Sequence, residues 1–115
     1  MLIDKIRIFL ERGRKGYATS DLWSFDNWLS KLIANGLREF KLNCHSYPND
    51  VDDWEEWVKI LDEMIECFEE QTRDIEVNLK TEDFLEHWYK RHELQRQKLH
   101  RGLELLERYY YDLWN

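Results

Sequence analysis

Proline and glycine are almost missing from this sequence: one proline, Pro48, and four glycines in 115 residues. Breaks in helical structure can therefore fall at few places. Cysteine is scarce as well. Cys44 and Cys67 could pair only once and match no compact zinc pattern such as C-x2-C. With no secretory signal in view they read as reduced and intracellular. No apolar run approaches the roughly 18–20 residues of a membrane span. The opening stretch MLIDKIRIFLERGRKG carries charges inside its apolar part and lacks a cleavage site, unlike a signal peptide. Basic excess is absent: the net charge is −7. A phosphate backbone calls for a basic footprint, so direct nucleic-acid binding is not expected. No repeat, low-complexity tract, phosphate loop, activated nucleophile or metal box is found. The expectation is a non-enzymatic protein without a cofactor.

What is present is apolar and aromatic. Hydrophobic residues make up 43% and aromatics 15%, with six tryptophans, which disordered chains lack. The length suits a single domain, 1–115. Apolar residues recur at spacings of three and four, the helical period. A short amphipathic helix is expected over 2–12, with Leu2, Ile3, Ile6, Phe9 and Leu10 covering the core edge or, in the alternative, meeting a membrane surface or a partner. Gly13 and Gly16 end it. Thr19-Ser20-Asp21 then caps a helix over about 20–43, and Asn49, Asp50 and Asp52 cap a third over about 52–72. Residues 72–80 form a link. Thr81 caps a last helix over about 82–113, long enough to bend at Gly102 or to overhang toward a partner. The fold class is thus all-α: an antiparallel bundle of three main helices plus a short N-terminal one. Its expected core is Leu22, Phe25, Leu29, Ile33, Trp54, Trp57, Leu61, Ile65, Leu99, Leu103, Leu106 and Tyr110. Gly36 and Gly102 are candidates for close helix approach.

The stretch NCHSYPND (43–50) gathers a cysteine, a histidine and the proline. Cys44 sits at a helix C-terminus, where the dipole disfavours thiolate. Pro48 cannot continue a helix, so the stretch reads as a corner with Tyr47 packed over it. Three polar residues interrupt the apolar stripes: Asp26 in the second helix, His92 and Gln95 in the fourth. Buried polar groups normally find partners, so these form a structural hydrogen-bond set or, in the alternative, a metal or small-ligand site with nearby acids. The third helix has ten acids between Asp50 and Glu70, with Lys59 the one base. Glu55, Glu56, Asp62, Glu63, Glu66, Glu69 and Glu70 are expected on the face opposite the tryptophans, a candidate surface for a basic protein partner.

Three blocks occur together: SDLWSFDNWLSKLIANGLREFK, HSYP…DDWEEWVKILDEMIECFE and RGLELLERYYYDLWN. This set resembles a widespread group of small uncharacterised proteins encoded by tailed bacteriophages and prophages. That group shows a D-L-W-x-[LF]-D start, an H-G-Y-P corner, an E-E-W-x-x-I-L-D-x-M-I helix and a G-L-x-L-F-x-x-Y-[FY]-x-x-L-W-[DN] end. The likeness covers most of residues 20–115. Ser46 departs from the group's glycine, and the second helix lacks its proline. The resemblance implies a phage accessory protein in the cytoplasm of an infected cell, acting on a host, defence or phage macromolecule. A virion or assembly component is the weaker alternative. A homo-oligomer through the long last helix is a further expectation.

Overall fold

Asp53 starts the central helix. Its carboxylate accepts the Glu56 N–H at 2.8 Å, while the Glu56 carboxylate reaches back to the Asp52 N–H at 3.0 Å. This reciprocal cap puts the N-cap at Asp53, one residue after the expected Asp52, and the helix starts at Trp54. The structure, a computed structural model, describes residues 1–76 and 78–114. Val77, in the expected link, and Asn115 lie outside the described residues. The helices are α1 (Leu2–Lys15), α2 (Phe25–Asn43), α3 (Trp54–Glu70) and α4 (Phe84–Tyr109), and no strand occurs among the described residues. Thr19–Ser24 forms a 3-10 turn before α2, and Tyr110–Asp112 another after α4. Thr19-Ser20-Asp21 therefore shapes an elbow and does not cap α2. Asp83, not Thr81, precedes α4. The corner at 43–50 is as expected: Pro48 and Cys44 are buried, the Val51 N–H bonds to the Pro48 carbonyl, and Tyr47 lies edge-on to Trp54. Both cysteines are free and buried.

Ion pairs between helices fix their directions. Arg38 meets Glu69 and Lys41 meets Asp62, so α2 runs antiparallel to α3. Arg91 meets Glu70, Lys98 meets Glu66 and Arg101 meets Glu63, so α3 runs antiparallel to α4. The fold is all-α, with α3 in the middle. Trp57, Leu61, Met64 and Phe68 on α3 are fully enclosed. From α2 they meet Ser30, Ala34 and Leu37; from α4, Gln95, Gly102, Leu105 and Tyr109.

α4 runs unbroken through Gly102. A Cβ built there would lie 2.9 Å from the Cβ of Cys67 and 3.2 Å from the Phe68 ring, whereas one at Gly36 meets open space. Only Gly102 permits close approach. Gly102→Ala should lose about 1–2 kcal/mol, overpacking of about 1–3 outweighing the helix-propensity gain of about 1. Gly36→Ala should gain up to about 1 kcal/mol. Paired thermal melts check this, and equal shifts would place the α3–α4 contact elsewhere.

The layer does not close. α2 and α4 make no close backbone approach to each other, and α1 touches only the elbow turn. The expected core residues Leu22, Phe25, Leu29, Trp54, Leu103 and Tyr110 are all exposed at 38% or more. On α2 and on α4 the buried line lies about a quarter turn, at 100° per residue, from the apolar stripe of the sequence. Each stripe instead faces the space between the two helices. Nor does α1 cover the core edge: none of its residues is buried. The molecule is accordingly flat, 51 × 43 × 19 Å, with a radius of gyration of 17.6 Å; a compact chain of this length would have about 13 Å. Its accessible surface is 9123 Å², against about 6,800 Å² for a compact monomer of 14.3 kDa.

Candidate functional site

The space left by α2 and α4 is a seam with two parts. The wider part is a cleft of about 810 Å³ at the C-terminal end of α3. Leu29 and Ile33 line it from α2, Phe68 from α3, and Trp88, Leu99 and Leu103 from α4. A shallower groove of about 280 Å³ lies between Leu32, Ile33, Leu37 and Phe40 of α2 and Leu106 and Leu113. Since Ile33 lines both, the seam follows α2 from Asp26 to Phe40.

The three stripe-breaking residues of the sequence all reach the wider cleft, and they differ in kind. Gln95 is buried, and its side-chain amide donates to the carbonyls of Glu70 at 3.1 Å and Arg73 at 2.9 Å. Gln71 returns the arrangement, donating to the Gln95 carbonyl at 2.8 Å and to that of Cys67 at 3.1 Å. The two glutamines meet the Cys67 and Glu70 carbonyls in the last turn of α3 and fasten that end to α4, so Gln95 is a structural clamp. His92 is half-buried and stacks on Trp88, ring centres 4.8 Å apart and planes 8° apart. Asp26 is exposed on the cleft wall, not buried as its place on the helical wheel suggests. The wheel fails because α2 meets α3 through Ser30, Ala34 and Leu37, a turn further on. Among the described residues no group of three His, Cys, Asp or Glu side chains converges to hold a metal ion.

The acids of α3 occupy other surroundings than the sequence suggests. Asp62 pairs with Lys41 at 2.6 Å, Glu63 with Arg101 at 2.9 Å and Glu66 with Arg73 at 2.8 Å; Glu69 pairs with Arg38. Glu70 is buried between Arg73 and Arg91, with Lys98 3.9 Å away, so it is no part of an exposed face. Glu56 is engaged in the α3 cap. Of the seven residues expected to form a docking face, only Glu55 has no hydrogen bond or ion pair among the described residues. Glu69 and Glu70, puzzling at the negative end of a helix dipole, are there for cations on α2, α4 and the segment after α3. Arg73 holds the Glu66 carboxyl below its ordinary pKa against the opposing effect of burial, with Lys98 adding to it.

Glu63→Lys with Glu66→Lys would set two ammonium groups beside Arg101, Arg73 and Lys98. These half-exposed pairs are individually worth little, so a loss of about 1–2 kcal/mol in urea denaturation is expected. Unchanged stability would show that the pairs hold nothing together.

The apolar spacing places Leu29, Ile33, Leu99, Leu103 and Leu106 in the core and so does not mark the seam as a site. The signal was available: α2 and α4 each have apolar residues on more than one face. Comparison with known protein families, curated proteins and solved structures found no match to this chain.

Proposed function

We propose that this is a non-catalytic accessory protein that works by binding another protein chain, and that the seam between α2 and α4 is its binding face. One observation carries the reading: two apolar stripes face a common open cleft, while five acids of α3 (Asp62, Glu63, Glu66, Glu69 and Glu70) are paired with cations of the same chain. An apolar groove between parallel helix walls suits an amphipathic helix, which inserts side chains at i, i+3, i+4 and i+7. The Trp88–His92 stack and the half-exposed leucines supply the adaptable aromatic and aliphatic surface such binding uses. The resemblance to small phage-encoded proteins agrees with an accessory role toward a host, defence or phage protein.

The test uses the full chain as bait with Leu29→Glu and Leu103→Glu combined. Both side chains are half-exposed, so the closed core should stand within about 1 kcal/mol. Partner capture should fall at least tenfold. Capture that survives in a folded double variant would remove the seam from consideration.

A further inference from the structure

A second apolar surface stands unpartnered on the same chain. α1 has the spacing of an amphipathic helix, with Leu2, Ile3, Ile6, Phe9 and Leu10 on one side, and all five are exposed. Its backbone approaches only the elbow turn, where polar contacts hold it. Asp21 accepts from Arg12 Nε at 3.0 Å, from Arg12 Nη2 at 2.6 Å and from the Ala18 N–H at 2.8 Å. Glu11 accepts the Thr19 N–H at 2.6 Å. Tyr17, Phe25 and Trp28 pack together at the elbow.

We infer that the occupant of the seam is α1 of a second copy of this chain, the two copies exchanging their N-terminal helices in a symmetric dimer. The inference rests on the seam being a protein-binding face. Four observations identify the occupant. α1 has 14 residues, about 21 Å at a rise of 1.5 Å per residue, and the seam along α2 from Asp26 to Phe40 spans about the same. Charge is complementary: residues 1–16 contain five basic and two acidic side chains, residues 17–115 twelve basic and twenty-two acidic. On the seam itself Asp26 and Asp74 are carboxylates with no hydrogen-bond or ion-pair partner among the described residues, open to basic groups on an incoming helix. The accessible surface exceeds that of a compact monomer by about 2,300 Å², enough for the roughly 800 Å² per partner that a stable interface buries. Finally, laying α1 into its own seam would undo the Arg12–Asp21 and Glu11–Thr19 contacts, whereas exchange with a second copy keeps them. A reciprocal exchange closes at two copies. A membrane surface would also accept a basic amphipathic helix, but it would leave the seam uncovered and bring an acidic body toward anionic lipid.

Sedimentation equilibrium of the full chain tests the inference. The expected mass is twice 14.3 kDa at tens of micromolar. Ile6→Glu on α1 and Leu103→Glu on the seam change residues exposed by 49% and 48%, so neither reaches the closed core; retained far-UV helicity checks this. Each variant alone should weaken self-association at least 100-fold. Mixed together they should recover a heterodimer, because the intact α1 of the Leu103→Glu chain fits the intact seam of the Ile6→Glu chain. A dimer that survives Ile6→Glu would mean seam-on-seam pairing, one that survives Leu103→Glu would mean pairing through α1 alone, and either overturns the exchange. A monomeric wild type whose partner capture is still lost in Leu29→Glu with Leu103→Glu overturns it too, leaving the seam as a face for a different protein. A monomer whose capture ignores the seam variants overturns both readings. A monomer that binds phosphatidylglycerol vesicles, and stops doing so with Ile6→Glu, assigns α1 to lipid and overturns the exchange.

Discussion

Trp57→Ala is expected to lower the free energy of unfolding by about 3–5 kcal/mol, the usual range for deleting a buried aromatic. Trp57 is fully enclosed, with Leu61, Met64 and Tyr109 in the same cluster and the Tyr109 ring edge-on at 5.3 Å. In an unclosed layer this cluster is where α2, α3 and α4 all contribute, so few other contacts can compensate. Trp57→Phe should cost much less. It keeps an aromatic ring against Tyr109 and removes an indole N–H that meets no acceptor among the described residues, an omission that itself costs about 1–3 kcal/mol. Urea denaturation of both variants checks the ranking. Equal losses would mean that ring volume counts for little at this site.

Glu70→Gln should be the next most damaging of these changes, at about 2–3 kcal/mol near neutral pH. Breaking a fully buried ion pair costs about 3–5 kcal/mol. The expected value is lower because Arg73 and Arg91 keep 43% and 35% of their side-chain surface exposed. Burial pushes the Glu70 carboxyl pKa up, but hydrogen bonds from Arg91 and Arg73 outweigh that and hold it below its ordinary value. The sign for stability follows. A carboxylate with a lowered folded pKa stabilises fully above the unfolded value, about 4.3, and the contribution is lost as pH falls through the lower folded value. Wild type and Glu70→Gln should therefore differ most above about pH 5 and converge in more acidic solution. Denaturation curves that stay equally far apart from pH 7 to pH 3 would show that the charge of Glu70 is not what matters.

The sequence showed the helices more clearly than the faces they bury. For α3 the apolar stripe and the buried line coincide beyond its exposed first residue, Trp54: Trp57, Leu61 and Ile65 are both expected in the core and buried, because a central helix has one core to face. For α2 and α4 periodicity located the helices but not the contacts. Those are made by Ser30, Ala34 and Leu37, and by Gln95, Gly102, Leu105 and Tyr109; of these Ser30, Ala34, Gln95 and Gly102 are too small or too polar to register in a hydrophobic stripe. The apolar positions Leu29 and Leu103 read as core in the sequence because a stripe shows that a face seeks cover, not whether the chain itself supplies it. The acids of α3 misled for a related reason. A run of like charges reads as a free face when its counterions, such as Arg38 and Arg101, lie 31 and 38 residues away on neighbouring helices. Asp26, His92 and Gln95 were found as anomalies, yet only tertiary packing separates the structural clamp at Gln95 from the two that line an open wall.

The most direct test of the seam as the binding face is photo-crosslinking in cells. The full chain would carry benzoylphenylalanine in place of Leu103 on the seam or, separately, in place of Glu55 on the acidic side of α3. Crosslinks to protein at position 103 and few or none at position 55 are the expected result, whether the captured chain is a second copy or another protein. Crosslinks at position 55 with none at position 103 would contradict it and return the acidic side of α3 to the role of binding surface.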